Sequence, residues 1–491
     1  MIVVFVHGWS VTDTDTYGRL PEALVAEAGK VGLGIDVQHV WLGRYVSFND
    51  DVKMADVVIG FEKALREVLP WENNGALSEF SCITHSTGGP VVREWVEAYY
   101  GAGRLNELPL RHLVMLAPAN HGSALAVIGK ERIGRIKALF EGVEPGKKIL
   151  EWLSLGSADQ WRLSRSFLKY RQNGSRFFPF VLTGQTIDRH FYDFLNPYLK
   201  EIGSDGVVRV ACANMNYCML TLAETDDVVV NTHFPSRSAN VLHLVGEKGR
   251  RLIDDKGQPL VGSDGHSLLD ADCRPDPVAL GVISRASHSG DDIGIMKSVK
   301  VENVADKPVV GEILRCLKVT SWGEYGTRRA ELQTSTIQNQ ASDNESRTHR
   351  YMNLVFRVVD DQNNPVNDFD LYLLAGSDFD PDKLPEGFFV DRQRNVETPN
   401  CLVYYMDYDI MAGIKDGKFG LRLVARPDKG FARYKPVELR TEGKVLAGVL
   451  QPNQTTYVEI VLKRRVDENV FRLDPETQPR RDFSGISPAT P

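Results

Sequence analysis

Apolar runs and amphipathic stretches alternate over residues 1–320 of the chain. The apolar runs typical of strands lie at residues 1–6, 35–42, 80–85, 113–116 and 177–184. The stretches with helical spacing of apolar residues lie near residues 17–32, 52–69 and 88–101. Strands that alternate with helices along a chain favour a mostly parallel sheet with helices on both faces. The pattern therefore predicts an α/β domain over residues 1–320.

Residues 125–172 interrupt this alternation. Apolar residues there fall near helical spacing, among them Leu139 and Phe140, and a second apolar cluster spans 149–155. We predict that this insertion forms a helical lid over a site for acyl chains, with transient contact to a membrane surface. The alternative is that the same helices simply pack on the core.

The periodicity changes beyond the α/β domain. A last helix is expected near 308–319. Residues 321–348 are predicted as a linker, because the stretch 333–347 within them is rich in Ser, Thr, Asn and Gln. Residues 349–474 then contain strand-like runs separated by turn residues, which favours a β-sandwich-like accessory domain. These runs lie at residues 351–359, 368–374, 401–406, 418–424 and 455–462. The polar, proline-containing tail 475–491 is predicted to be disordered.

The apolar run at 80–85 leads into a turn with a serine at its apex. Small residues after Ser86 allow a sharp turn from strand to helix, which exposes the hydroxyl at the positive helix N-terminus. The usual pattern for such a turn is G-x-S-x-G, and this chain departs from it with Thr84 two residues before the serine. Ser86 is the candidate nucleophile.

Attack by a serine on an ester creates a negatively charged oxygen that backbone N–H groups stabilise. The residue after the nucleophile, Thr87, supplies one such donor. The loop His7–Ser10 follows the first strand directly and suits a second donor, which by position is Trp9. His7 itself is expected to shape this loop rather than to exchange protons.

A serine nucleophile needs a histidine base that is oriented by a carboxylate. Asp205 stands in a turn before a short apolar run, and His288 stands in a polar loop between apolar segments. Ser86, Asp205 and His288 thus follow the chain order serine, acid, histidine that accompanies this kind of turn. We predict that these three residues form a catalytic triad.

Other acids and histidines compete for these roles. Asp226 and Asp227 also precede an apolar run, and Asp264 and His266 stand together in a segment that resembles the Asp205 turn. The stretch 251–266 is better interpreted as a hairpin with Asp-Lys-Gly and Asp-Gly turns. His121, beside a predicted strand end, is expected to pack rather than to bind a metal.

These motifs together resemble the α/β-hydrolase lipases and esterases, in particular bacterial lipases and GPI inositol-deacylase-like lipases. The resembling segments are Val3–Ser10, Thr84–Gly89, Ala117–Ser123, Ser204–Val208 and Ser287–Gly294. The resemblance implies an α/β-hydrolase fold and a serine ester hydrolase that acts as a lipase or phospholipase. Type VI secretion lipase effectors also combine such a hydrolase with accessory domains.

Composition and short motifs limit the ligands and the cellular location that we expect for this chain. A net charge of -7 gives no electrostatic case for nucleic acid, whose binding requires a basic face. The chain lacks zinc and P-loop motifs, so neither a metal nor a cofactor is expected. The six cysteines are mostly flanked by apolar residues, which favours buried thiols over a disulfide framework. The chain begins in a strand without a signal-peptide pattern, so we expect a cytoplasmic product unless it is exported without a cleaved signal.

The predicted activity is hydrolysis of acyl esters in a lipid. The alternatives are a carboxylesterase for small esters and a non-catalytic protein whose β domain binds a ligand. For the C-terminal β domain we expect a protein or carbohydrate partner.

Overall fold

Two β-sheets organise the chain, a parallel sheet of six strands and a mixed sheet of nine strands. The structure is a computed structural model that describes residues 1–7, 17–45, 49–71, 75–126, 146–171, 174–188, 202–246, 273–342, 350–414, 418–426, 431–441 and 449–466. Within these residues, none of the helices combines the length and apolar character that crossing a bilayer requires.

The strands, in chain order, are β1 (Ile2–His7), β2 (Asp36–Trp41), β3 (Phe80–His85), β4 (Leu110–Leu116), β5 (Phe178–Gly184), β6 (Tyr217–Val230), β7 (Ser238–Val245), β8 (Ala279–Ile283), β9 (Tyr351–Asp360), β10 (Phe369–Ala375), β11 (Phe389–Arg394), β12 (Cys401–Asp407), β13 (Phe419–Ala425), β14 (Ala432–Arg433), β15 (Val437–Thr441), β16 (Thr455–Leu462) and β17 (Arg465–Val466).

The α-helices are α1 (Leu20–Lys30), α2 (Leu42–Tyr45), α3 (Met54–Val68), α4 (Gly88–Tyr99), α5 (Lys147–Leu153), α6 (Ala158–Phe167), α7 (Val210–Ala213), α8 (Pro308–Leu317), α9 (Trp322–Ser342) and α10 (Tyr408–Ala412). Short 3₁₀ helices occur at Ala102–Glu107, Val301–Asp306 and Pro381–Lys383.

The parallel sheet has the strand order β2-β1-β3-β4-β5-β8. Every neighbouring pair is parallel, so the carboxyl ends of its strands meet along one edge. One face packs against α3 and α4, where the fully buried Trp95 meets Phe61 edge to face. The other face packs against α1, α8 and α9. This arrangement confirms the predicted α/β-hydrolase fold class, and open α/β sheets hold their ligands at the carboxyl edge.

The mixed sheet has the order β10-β13-β15-β7-β6-β16-β9-β12-β11 and forms a curled β domain. An all-β domain near the C-terminus is therefore confirmed. Its sheet also contains β6 and β7, which lie inside the range predicted for the α/β domain. The strand β16 joins them to β9, β12 and β11, since it pairs in parallel with β6 on one side and with β9 on the other. Such long-range pairing leaves no local signal in the sequence.

The segment predicted as a linker contains a helix of 21 residues, α9. Its polar side chains contact the backbone of the edge strand β8: Thr336 Oγ1 accepts from the N–H of Val282 at 2.9 Å, and Asn339 Nδ2 donates to the Val282 carbonyl at 2.7 Å. Tyr325 and Leu332 are buried on the same helix. The polar side chains of α9 thus form hydrogen bonds with the backbone of an edge strand that would otherwise be exposed.

Helices α5 and α6 lie within the predicted lid but belong to the core. Trp152, Trp161 and Phe167 are buried in the same apolar cluster as the helix α4. The prediction of a lid now concerns residues 127–145, which lie outside the described residues and include Leu139 and Phe140.

The β domain packs directly on these helices through the fully buried Tyr457 of β16. Its ring lies 5.1 Å from the ring of Trp161 in α6, and its hydroxyl lies 2.8 Å from Nδ1 of His121. Val355 and Val403 of the β domain belong to the same cluster. The two sheets therefore share one apolar core.

Because the two sheets share this core, we expect Tyr457→Ala to lower the stability of the whole protein strongly. The substitution opens a cavity and removes the partner of a buried imidazole, so we expect the free energy of unfolding to fall by about 3–5 kcal/mol. The matched control is Tyr372→Ala, at a tyrosine of the edge strand β10 that is 39% exposed. In Tyr372→Ala the free energy of unfolding should fall by less than about 1 kcal/mol. Urea unfolding of both variants measures the difference, and equal small losses would contradict a shared core.

Candidate active site

The strand β3 ends in a strained turn that carries Ser86. This serine has a φ of 51°, in the left-handed region that residues other than glycine rarely adopt. Its N–H donates to the carbonyl of Leu116 at 3.0 Å, at the end of β4. The next residue, Thr87, is the N-cap of α4. The half-buried hydroxyl therefore stands at the carboxyl edge of the sheet beside a helix N-terminus.

Two glycines let α4 begin this close to the sheet. A Cβ on Gly88 would lie 3.2 Å from Cβ of Thr84, and one on Gly89 would lie 2.8 Å from Cβ of Pro118. The departure from the usual turn pattern at Thr84 is thus accommodated, because the residue that faces its buried side chain is a glycine.

Asp205 lies in a turn between β5 and β6 and is fully buried. Its Oδ1 accepts the N–H groups of Val207 and Val208 at 3.0 and 2.8 Å. These bonds fix the carboxylate and leave Oδ2 free to face the loop after β8. The backbone of the same turn is tied to that loop, since the N–H of His288 donates to the Asp205 carbonyl at 2.9 Å.

The structure brings Ser86, Asp205 and His288 together in one hydrogen-bonded chain. Nδ1 of His288 lies 3.0 Å from Oδ2 of Asp205, and Nε2 lies 3.1 Å from Oγ of Ser86. His288 is only 4% exposed. A serine hydroxyl, an imidazole and a buried carboxylate in this order are the groups needed to activate a serine for acyl transfer.

A second histidine, His85, lies against His288 and was not singled out from the sequence. The two ring centroids are 4.6 Å apart, and Nε2 of His85 donates to the His288 carbonyl at 3.2 Å. Burial lowers the pKa of His85 well below its usual range, and the nearby His288 lowers it further. His85 is therefore a neutral packing partner. Its position immediately before Ser86, the candidate nucleophile, is the sequence signal that points to it.

Two of the competing acids lie elsewhere in the fold. Asp226 and Asp227 are exposed on β6 in the β domain, where Asp226 pairs with Lys463 and Asp227 lies 3.6 Å from His243. Asp264 and His266 lie outside the described residues, as does the proposed oxyanion donor Trp9.

His121 is fully buried beside the strand end where it was expected to pack. Its Nε2 donates to the carbonyl of Asn214 at 2.9 Å, and its Nδ1 lies 2.8 Å from the hydroxyl of Tyr457. Burial lowers the pKa of this histidine to about 3, and the nearby Arg93 also lowers it. The ring is therefore a neutral structural contact between the two sheets.

One group of described residues has metal-ligating atoms close together, namely His233, Asp378 and Asp380 of the β domain. The two ring nitrogens of His233 face different carboxylates, at 3.4 and 3.6 Å, and Lys383 already pairs with Asp378 at 2.9 Å. These contacts form a polar cluster that contains one lysine–aspartate ion pair.

Comparison with models of protein families gives no match. Comparison with curated protein sequences gives none either.

Solved structures do match the chain. The phospholipase PlaB from Legionella pneumophila is 40% identical, and the match covers 98% of this chain and 97% of that chain with a TM-score of 0.81. A second structure of the same enzyme, in complex with thio-NAD, is 39% identical with the same coverage and a TM-score of 0.79. The similarity includes both the α/β part and the β domain, because it extends over nearly the whole length of each chain. The chain therefore belongs to the family of the Legionella phospholipase PlaB.

Proposed function

We propose that this protein is a phospholipase that cleaves the acyl ester of a phospholipid through a triad of Ser86, His288 and Asp205. The observation that carries the proposal is the continuous hydrogen-bonded chain from Oδ2 of Asp205, through both ring nitrogens of His288, to Oγ of Ser86. The substrate class is supported by the 40% identity to a phospholipase over 98% of the chain.

The reaction follows from the direction of these hydrogen bonds. An ionised carboxylate only accepts, so Nδ1 of His288 carries a proton and Nε2 presents its lone pair to Ser86. Oγ of Ser86 attacks the carbonyl carbon of the ester while Nε2 takes its proton, and the Asp205 carboxylate stabilises the imidazolium that forms. Nε2 then gives the proton to the leaving alcohol oxygen, and the lysophospholipid departs.

The acyl group remains as an ester on Ser86 until water removes it. Nε2 of His288 takes a proton from the water, whose oxygen attacks the acyl carbon, and returns that proton to Oγ as the fatty acid leaves. This sequence transfers no hydride. The thio-NAD bound to the Legionella enzyme is therefore not a reactant in the proposed chemistry.

The negative oxygen of the tetrahedral intermediate needs N–H donors beside Ser86. Thr87 is the natural first donor, because it caps α4 and the first N–H groups of a helix have no acceptor within the helix. The positive helix end adds to this stabilisation. The proposed second donor is the N–H of Trp9, and loss of one donor in such sites reduces kcat by about 10²–10³.

Ser86→Ala should lower kcat for ester hydrolysis by roughly several orders of magnitude. It should also abolish labelling by a fluorophosphonate probe. The side chain removed is small and half-buried, so the melting temperature should stay close to that of the parent. Ser236→Ala, at an exposed serine of the β domain, is the matched control and should keep full activity. A folded Ser86→Ala protein with substantial activity would exclude Ser86 as the nucleophile.

The two histidines that competed in the sequence can be separated in the same assay. His288→Ala should lose about as much activity as Ser86→Ala, because members of a triad act as a unit. His266→Ala should keep its kcat within about tenfold of the parent. An inactive His266→Ala protein beside an active His288→Ala protein would overturn the assignment of both His288 and Asp205.

A substrate panel tests the acyl-ester assignment. Vesicles of a diacyl phospholipid should yield free fatty acid and lysophospholipid, since the proposed nucleophile attacks a carboxylic carbonyl carbon. Release of the head group alone would contradict the reaction. A short soluble ester provides the comparison: hydrolysis of that ester without action on vesicles would instead identify a small-ester carboxylesterase, and no hydrolysis of either would favour a binding protein.

A further inference from the structure

The turn that carries Asp205 lies between the two sheets. It is closed by an antiparallel bridge between Ser204 and Arg209 and by a hydrogen bond from the Asp205 N–H to the Val208 carbonyl at 3.2 Å. Its tip contacts the α/β part, where Oγ of Ser123 donates to the Val207 carbonyl at 2.6 Å. Both ends of the turn contact the β domain.

The C-terminal end of the turn is held through Arg209. Its side chain is 1% exposed and donates to Oδ1 of Asn353 at 3.1 Å and to Oδ2 of Asp391 at 2.5 Å. The guanidinium carbon lies 4.2 Å from the centre of the Tyr405 ring. These three partners belong to β9, β11 and β12, which are neighbours at one edge of the nine-stranded sheet. A buried guanidinium needs such a paired setting, because its charge has left water.

The N-terminal end of the turn is held by two stacked tyrosines. The rings of Tyr351 and Tyr405 lie 5.4 Å apart, and the hydroxyl of Tyr405 donates to the Ile202 carbonyl at 3.0 Å. A Cβ on Gly203 would lie 2.4 Å from Cδ2 of Tyr351, and still closer to the Tyr405 hydroxyl. The φ of 80° at Gly203 also requires a glycine. The backbone at Ile202 and Gly203, just before Asp205, thus packs tightly against the β domain.

We propose that the edge strands β9, β12 and β11 hold Asp205 at hydrogen-bonding distance from His288, and that Arg209 is the positioning residue through which they do so. The inference rests on the proposed function, because Asp205 matters only as the partner of the base. A carboxylate that orients a catalytic imidazole must be held closely, and a displacement of about 1 Å caused by a remote substitution can reduce the rate about 10²-fold. The β domain is on this account a support for the triad.

Asp391→Asn tests the proposal, because it keeps the shape of the side chain and removes the charge that holds Arg209. We expect kcat on a short soluble ester to fall by about 10- to 100-fold while KM stays unchanged. The matched control is Asp370→Asn, which removes an aspartate that pairs with Arg426 at 2.5 Å on β10, the opposite edge of the same sheet. This control should keep kcat within about twofold of the parent, since surface ion pairs contribute little.

A double-mutant cycle with Asp205→Asn separates positioning from general destabilisation. If Asp391 acts through Asp205, the double variant should be no slower than Asp205→Asn alone. Two independent effects would instead multiply. Tyr405→Phe provides a milder second test that keeps the ring and removes the hydrogen bond to Ile202. Its smaller loss of kcat should disappear in the Asp205→Asn background in the same way.

The outcomes that overturn the proposal differ from those that overturn the function. An impaired Asp205→Asn enzyme beside Asp391→Asn and Tyr405→Phe enzymes with parental kcat would contradict positioning by the β domain, and so would multiplying losses. A fully active Asp205→Asn enzyme would contradict the proposed triad itself and the positioning proposal with it.

Discussion

The left-handed backbone at Ser86 is the constraint on which the arrangement of the candidate site depends. A non-glycine residue in this conformation costs about 1–3 kcal/mol and persists only where its surroundings fix it. Here the N–H of Ser86 is bound to the end of β4, and Gly88 and Gly89 allow α4 to begin against Thr84 and Pro118. The strained turn places the hydroxyl at the carboxyl edge of the sheet and at the start of a helix. Every other group of the site is positioned relative to that hydroxyl.

The proposed base His288 and the proposed acid Asp205 reach Ser86 from loops that follow different strands, and contacts with both sheets hold these loops. The parallel sheet supplies the loop of His288 after β8, and neutral His85 packs against its ring. The acid turn is tied to this loop through the Asp205 carbonyl and to the β domain through Arg209. The shared apolar core around Tyr457 keeps the sheets together. A β domain that packs this closely is part of the architecture of the site.

Local patterns in the sequence predicted most strands and helices of the α/β part and proposed the three residues that the structure brings together. The strand at 80–85 and the helix after it agree with β3 and α4, because apolar spacing and small turn residues are properties of neighbouring positions. Ser86, Asp205 and His288 could be proposed because each stands in a turn or loop beside an apolar run, in a fixed chain order. Their contact distances were not accessible, since they depend on how the sheet brings distant loops together.

The errors of the sequence interpretation arose where polar or distant residues complete the structure. The helix α9 was predicted as a linker because its Thr336 and Asn339 look like surface residues, although they satisfy the backbone of an edge strand. The strands β6 and β7 were placed outside the β domain because their pairing with β16 and β15 joins residues more than 190 positions apart. Arg209 belongs to no motif in the sequence, and its hydrogen bonds to Asn353 and Asp391 of the β domain are visible only in the structure.

The central claim is that Ser86 is a nucleophile activated by His288 and Asp205. Peptide mapping by mass spectrometry after reaction of the intact protein with a fluorophosphonate tests it most directly, because the probe forms a covalent bond only with an activated serine. The account predicts a single phosphonylated peptide with the adduct on Ser86, at a rate that falls in the Asp205→Asn variant. An adduct on another serine, or an unmodified Ser86 in folded protein, would contradict it.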